Sequence, residues 1–157
     1  MEVSKFGSYY EEFIVGEEII HQLSKTIFES DNNMFSLLTM NHHPLHLNKD
    51  YAEKSQHGQI LVVGTLVFSV LVGITVPDIS GKAIANLEYK KIRHLNPVFI
   101  GDTLYAKTLV LDKRLSEKND DRGIISVKTI GRNQSNIPVL EFERSVLVQR
   151  MGVKKGG

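Results

Sequence analysis

The stretch "ILVVGTLVFSVLVGITV", residues 60–76, contains no charged side chain and decides how the rest of the chain must be arranged. It reaches the low end of a membrane-spanning length, about 17 residues. However, no basic cluster flanks it, and glycine, serine and threonine interrupt it. The same composition is typical of a helix buried on all sides in a globular core. We therefore expect a central core helix that ends before Pro77, and no membrane span.

The segments before this helix predict one strand and two shorter helices. The apolar-rich run "EEIIHQLSKTIF", residues 17–28, is typical of a strand. Ser30 or Asp31 is a candidate N-cap for a helix whose apolar residues recur at helical spacing. Those apolar residues are Met34, Leu37 and Leu38. The loop "TMNHHP" ends that helix, and "NKDYAEKS", residues 48–55, predicts a short helix after it.

The segments after residue 80 change to the alternating pattern of antiparallel strands. Four runs show it: residues 82–95, 103–115, 124–133 and 139–150. A helix that is apolar on every side must be covered by the sheet, so we expect an α+β fold of the hotdog type, with a curved antiparallel sheet wrapped around the central helix. Residues 1–157 are expected to form one such domain, and the open sheet edges favour a homodimer or a higher homo-oligomer.

Composition excludes several classes of function. The formal net charge is +1 and the basic residues are scattered, so no nucleic-acid partner is expected. The chain has no cysteine, which excludes disulfides and zinc–thiolate sites and fits a reducing compartment. The start "MEVSKFGSYYEEF" is too acidic and too weakly apolar for a signal peptide, so we expect a cytoplasmic protein without a membrane partner.

Three of the six histidines lie in one short run, where Asn41, His42, His43 and His46 surround Pro44. Pro44 restrains His43 to an extended backbone. A metal site here is disfavoured because the histidines are not an i,i+4 pair, no carboxylate completes the set and the proline interrupts it. We expect no metal.

Three pieces of this sequence together resemble the MaoC-like dehydratase family, the hotdog enoyl-CoA hydratases. They read "NHHPLHLN", "VVGTL" and "NPVFIGDTL", against a family pattern of D-x-N-P-x-H-x-D, a glycine opening the long helix, and P-V-x-x-G-D. Asn41 stands where many members have a catalytic Asp, while His46 is retained. The longer strings "MFSLLTMNHHPLHL" and "AIANLEYKKIRHLNPVFIGDTLYA" are similar to the branch that acts on mesaconyl-CoA and itaconyl-CoA.

The resemblance implies a hydro-lyase that adds water to a short-chain enoyl-CoA, with CoA as part of the substrate and no separate cofactor. His46 would handle protons, since an imidazole titrates near neutral pH. Asn41 would hold the water through its amide, and the backbone at Gly64 would stabilise the enolate oxygen. A neutral Asn41 avoids repulsion with the free carboxylate of a diacid substrate.

The substrate's charged groups suggest further binding residues. His42, His43 or Arg93 would supply a positive partner for a free carboxylate. Strand alternation puts Lys91 and Arg93 on one face, where they would anchor the phosphates of CoA.

Other interpretations stay open at this stage. The activity could be that of an (R)-specific hydratase of simple enoyl-CoA, of a hotdog thioesterase, or of a CoA-thioester binding module without catalysis. His46, His42 and His43 could be loop residues, and Asn41 could be a helix-terminal residue that tolerates the left-handed conformation. Gly64 could serve only close helix–sheet packing, and Lys91 and Arg93 could belong to a solvated strand face.

Overall fold

The computed structural model describes residues 5–153, so the first four and last four residues of the chain lie outside it. The helices are α1 (Glu29–Leu38), α2 (Pro44–Leu47), α3 (Lys49–Glu53) and α4 (Gly64–Thr75). The strands are β1 (Glu18–Ile20), β2 (Lys25–Thr26), β3 (Ala83–His94), β4 (Thr103–Leu115), β5 (Arg122–Arg132) and β6 (Pro138–Gln149). The four long strands predicted after residue 80 are confirmed to within two residues at each end.

The strands form an antiparallel sheet in the order β1-β4-β5-β6-β3, with β2 also paired to β4. Helix α4 packs on its inner face, where Leu71 is fully buried. Removing such a side chain from water stabilises the fold by about 1.5–3 kcal/mol. Gly131 of β5 lies under Leu71, and any side chain added there would collide with the leucine methyl groups. The predicted α+β fold, a curved antiparallel sheet around a central helix, is confirmed.

Helix α4 is shorter and more exposed than the sequence predicts. It begins at Gly64 because residues 61–63 are held as extended chain: Leu61 bridges to Phe99, and the Val62 N–H donates to the Val98 carbonyl at 2.9 Å. It ends before Pro77, as expected, and passes into a π-helical turn, Val76–Ser80. The prediction of burial on all sides is wrong for the single chain, since Thr65, Ser69 and Gly73 form an exposed stripe. Among residues 5–153, no helix is both long enough and apolar enough to cross a membrane.

Helix α1 packs Phe35 against the core but turns its other apolar residues outward. Met34, Leu37 and Leu38 are 71%, 57% and 79% exposed, whereas Asn32 and Ser36 on the opposite face are fully buried. The helical spacing of these apolar residues therefore does not mark the buried face of α1. The polar pair faces inward because Asn32 makes hydrogen bonds to the backbone there, which are described below.

The amino-terminal ends of α1 and of the sheet also differ from expectation. Helix α1 begins at Glu29, and Asp31 acts from inside its first turn by accepting the Phe28 N–H at 2.8 Å. Lys25, at 2.7 Å, and this N–H hold the pKa of Asp31 below its usual range. The single strand predicted over residues 17–28 is two short strands, because the chain breaks between them at His21, whose ring turns into the core.

Candidate active site

The loop after α1 is fixed by its own backbone. Met40 adopts the left-handed conformation, with φ of 62°, and its N–H donates to the Leu37 carbonyl while the Asn41 N–H reaches back to Ser36 at 2.9 Å. This is the Schellman arrangement that ends many helices. The interpretation of Asn41 as the left-handed residue is therefore wrong, since Met40 takes that position. The Asn41 side chain instead accepts weakly from the His43 N–H at 3.4 Å, and its amide nitrogen has no partner within residues 5–153.

His46 lies on α2, a single turn that the sequence predicted only as loop. Pro44 occupies the first turn, and His43 before it is extended, as predicted, and accepts the Leu45 N–H on Nδ1 at 3.1 Å. The rings of His43 and His46 are 6.0 Å apart between centroids. Helix α2 therefore places the two imidazoles side by side.

The tautomer of His46 follows from its partner. Its Nδ1 lies 2.6 Å from the Leu61 carbonyl oxygen, which can only accept, so Nδ1 carries the hydrogen. In the neutral ring Nε2 is then the basic nitrogen. No hydrogen bond to Nε2 occurs in the described part of the chain. His46 is thus held in the tautomer that a proton acceptor requires.

Asn32 joins His46 to the start of α4, and sequence reasoning missed it. Its amide donates to the His46 carbonyl at 3.0 Å, and its oxygen accepts the Val63 N–H at 3.0 Å, while the side chain is fully buried. An unpaired buried backbone group costs about 1–3 kcal/mol, so these two bonds fix the relative position of α1, α2 and α4. The only signal in the sequence was a polar pair, Asn32 and Ser36, at helical spacing opposite the apolar stripe.

Gly64 is the first residue of α4, where backbone N–H groups have no intrahelical acceptor. The His94 ring packs directly against it, since a Cβ built on Gly64 would lie 2.6 Å from His94 Cε1. Beside them is a cavity of about 340 Å³. His57, His94 and Asn96 are the polar side chains in its lining, which is otherwise mainly apolar. Sequence reasoning placed none of these three in the site.

Lys91 and Arg93 lie elsewhere. Lys91 pairs with Glu143 at 3.2 Å, and Arg93 is the cross-strand neighbour of Glu141. Both glutamates alternate with buried residues of β6 and so face outward, away from α4. The shared face predicted for Lys91 and Arg93 is therefore the outer face of the sheet.

His42 is exposed on the loop. No three metal-ligating side chains converge anywhere in residues 5–153.

A second polar cluster lies at the other end of α4. His21 Nδ1 donates to Asp78 at 2.6 Å, and its Nε2 lies 2.7 Å from the Thr108 hydroxyl, which in turn is 2.8 Å from that of Thr129. Burial lowers the pKa of His21, although the Asp78 carboxylate opposes this. Arg144 is also buried, which lowers its pKa, and it donates to Thr75 at the end of α4.

The sequence matches the MaoC-like domain family over residues 12–132. The chain therefore belongs to this family, as the sequence motifs predicted. It is 33% identical to a mesaconyl-CoA hydratase of Cereibacter sphaeroides and 34% identical to a beta-methylmalyl-CoA dehydratase of Chloroflexus aurantiacus, each over 92% of this chain. These alignments cover only 42% and 41% of the two relatives, so the chain spans about two fifths of their length.

An (R)-specific enoyl-CoA hydratase of Rhodospirillum rubrum is 29% identical, and the alignment covers 92% of this chain and 94% of that protein. Among solved structures, a putative MaoC domain dehydratase of Chloroflexus aurantiacus superposes with a TM-score of 0.90 at 30% identity. That match covers 99% of this chain and 44% of the other. These similarities agree with the hotdog fold.

Proposed function

We propose that this protein is a hydro-lyase that adds water to, or removes it from, a short-chain enoyl-CoA. The observation that carries the proposal is the geometry of His46. Its Nδ1 is bound to the carbonyl of Leu61, on the segment that leads into the first turn of α4 at Gly64, and its Nε2 has no partner among the described residues. The family and the hydratases and dehydratase similar to this chain support the same reaction.

The reaction needs a base, a proton donor and a stabilised enolate. In the hydration direction, His46 Nε2 takes a proton from water as the oxygen bonds to the β-carbon. The electrons of the double bond move to the thioester oxygen, which the free N–H groups at Gly64 stabilise. His46 then returns the proton to the α-carbon, so one water is added in total. The free amide of Asn41 holds the attacking water, and no cofactor beyond the CoA of the substrate takes part.

The substrate we propose is a carboxylated thioester such as mesaconyl-CoA or itaconyl-CoA. Two observations support it: the relatives named above and the neutral Asn41 in place of a carboxylate. A second carboxylate about 4 Å from the substrate's own would cost roughly 4 kcal/mol at an effective dielectric of 20. The alternative is an (R)-specific hydratase of simple acyl chains, favoured by the Rhodospirillum rubrum protein, which matches this chain in length.

We further propose that two copies of the chain associate through β3. This strand is an edge of the sheet, and its free side carries exposed apolar residues, among them Ile84, Leu87 and Ile92. Unpaired edges of this kind invite another strand. Relatives more than twice as long would hold a second unit within one chain. Sedimentation should give twice the 17.7 kDa of one chain. Leu87→Glu should reduce this to the single mass, whereas Leu111→Glu on the internal strand β4 should not.

The function is tested with a panel of neutral and carboxylated enoyl-CoA thioesters, followed by the loss of enoyl absorbance. Wild type should hydrate the carboxylated members, and His46→Ala should lose about two to four orders of magnitude in kcat/KM. Release of free thiol, detected with a thiol reagent, would instead indicate a thioesterase. Thermal stabilisation by thioesters without turnover would indicate a binding module. A hydratase using CoA thioesters would work in the cytoplasm, and cell fractionation tests that location.

A further inference from the structure

The few polar side chains that line the cavity beside Gly64 favour an anion. Two of the chain's six histidines, His57 and His94, line it, and none of its described lining residues carries a carboxylate. The remaining surface is mainly aliphatic, from Val67, Val98 and Val139 among others. A small apolar group with one negative charge suits such a surface better than a neutral chain or a cation does.

The two histidines are fixed at the cavity by different contacts. His94 ends β3 opposite Leu140, which is fully buried, so its ring points to the inner face of the sheet and onto Gly64. Neither ring nitrogen of His94 has a hydrogen-bond partner within residues 5–153. The ring of His57 packs on Phe99, with 6.1 Å between centroids. Both ring nitrogens of His94 are therefore available to a ligand, whereas Nε2 of His57 already lies 3.5 Å from the Gln56 amide nitrogen.

We propose that His94, assisted by His57, binds the free carboxylate of the acyl group and so selects dicarboxylic over monocarboxylic thioesters. This inference rests on the proposed function only for the position of the thioester carbonyl at Gly64. In a fumaryl-type substrate, the thioester carbonyl and the free carboxylate stand on the two carbons of one double bond. If the thioester carbonyl binds at Gly64, the free carboxylate therefore lies close to the His94 ring, which packs on Gly64. An imidazole offers an N–H donor whether it is neutral or protonated.

This assignment replaces the partners suggested by the sequence. Arg93 follows the alternation of β3 to the outer face beside Glu141, on the opposite side of the sheet from the cavity. His43 uses its Nδ1 to cap α2, and His42 is exposed on the loop. Among the described residues, the His94 side chain provides the atoms nearest to a Cβ built on Gly64.

Binding without turnover tests the subsite separately from catalysis. Succinyl-CoA and butyryl-CoA are saturated four-carbon thioesters that cannot be hydrated, and they differ by the free carboxylate. By calorimetry, wild type should bind succinyl-CoA about 10- to 100-fold more tightly, the range of a hydrogen bond to a charged group. His94→Leu, which keeps the bulk and removes the donor, should reduce the preference to below about 3-fold, and His94→Gln, which keeps an N–H, should retain most of it.

Kinetics give the second readout. In His94→Leu, kcat/KM for mesaconyl-CoA should fall about 10- to 100-fold relative to kcat/KM for crotonyl-CoA. Folding of each variant is checked by its thermal transition, and His94→Met, which also lacks a hydrogen-bond donor, replaces His94→Leu if that variant does not fold.

The outcomes separate the two proposals. Equal binding of both saturated thioesters by wild type, or an unchanged preference in His94→Leu, overturns the subsite and leaves the hydratase in place. Loss of the preference in Arg93→Leu alone also overturns it. A carboxylate preference that depends on His94, in a protein that hydrates no thioester, supports the subsite and refutes the hydratase.

Discussion

His21 and His46 lie near opposite ends of α4, and each donates an Nδ1 hydrogen to an oxygen at 2.6 Å. They differ at Nε2. In His21 it accepts from the Thr108 hydroxyl, and the side chain is completely buried. In His46 it has no partner in the described chain, and the residue is half-buried. Both histidines therefore have the same tautomer. His21, with both ring nitrogens paired, stabilises the structure, whereas His46 has an Nε2 that can accept a proton.

The two ends of α4 also differ in the groups that surround each histidine. At the carboxyl end of α4, Arg144 donates to Thr75 and Ser80, so a buried cation meets the negative end of the helix dipole. At the amino end, a glycine starts the helix and a cavity lies beside it. One end of the helix is filled by the protein's own polar groups, and the other is left for a ligand.

The largest difference should appear when each histidine is removed. His46→Ala is expected to lower kcat/KM by about 10²- to 10⁴-fold with a loss of stability near 1 kcal/mol, since only one hydrogen bond goes. His21→Ala should do the reverse, lowering the free energy of unfolding by about 2–4 kcal/mol while activity per folded molecule stays within about 3-fold. Urea titration and enoyl hydration measure the two quantities. Strong inactivation of folded His21→Ala would erase the distinction.

Replacing Asn32 tests whether the arrangement at the amino end of α4, beside the cavity, depends on buried hydrogen bonds. Asn32→Ala leaves the Val63 N–H and the His46 carbonyl unpaired, so the free energy of unfolding should fall by about 2–4 kcal/mol and kcat by about 10-fold. Ser36→Ala is the matched control: it is equally buried on the same helix, and its hydroxyl has no partner within the described residues. That change should cost less than about 1 kcal/mol. Similar losses in both variants would mean that Asn32 acts through packing alone.

Near the carboxyl end of α4, the hydrogen bonds of His21 form a chain with one direction of donation. Two substitutions of threonine by the isosteric valine can test that direction. The Asp78 carboxylate accepts from His21, so neutral His21 must accept from Thr108, and Thr108 from Thr129. Thr108→Val removes the donor to the ring and should cost about 1–3 kcal/mol, whereas Thr129→Val should cost about 1 kcal/mol or less. Chemical denaturation of the two variants gives the comparison. A larger loss in Thr129→Val would reverse the inferred direction.

The smallest expected effect is the pH dependence of stability that His21, near the carboxyl end of α4, contributes. Burial lowers the pKa of His21, so the unfolded chain takes up a proton at a higher pH than the folded chain does. The stability contributed by neutral, buried His21 is therefore fully present above about pH 6.5. It is lost as the pH falls toward the pKa of His21 in the folded chain. The urea midpoint should drop between pH 7.5 and pH 5.5, and His21→Gln should show a weaker drop. An equal slope in wild type and His21→Gln would assign the effect to other groups.

The strands and the central helix could be predicted because their patterns are local. Alternation in residues 103–115 and 139–150 follows from one face of the sheet being buried, and an uncharged run of 17 residues must be covered. Met34, Leu37 and Leu38 also recur with a regular period but are exposed, because the hydrogen bonds of Asn32 decide which face of α1 turns inward. Periodicity locates an apolar face but does not say whether the core or another surface covers it.

By itself, the sequence determined the α+β class, the four long strands and the position of His46 in a family motif, because hydrophobic periodicity and motif order are properties of the chain. Only the tertiary structure decided the tautomer of His46, the placement of Asn32 and the contact of His94 with Gly64. Each of these joins segments 14 to 31 residues apart in the chain, and hydrogen-bond distances between such segments exist only after the sheet has closed around the helix.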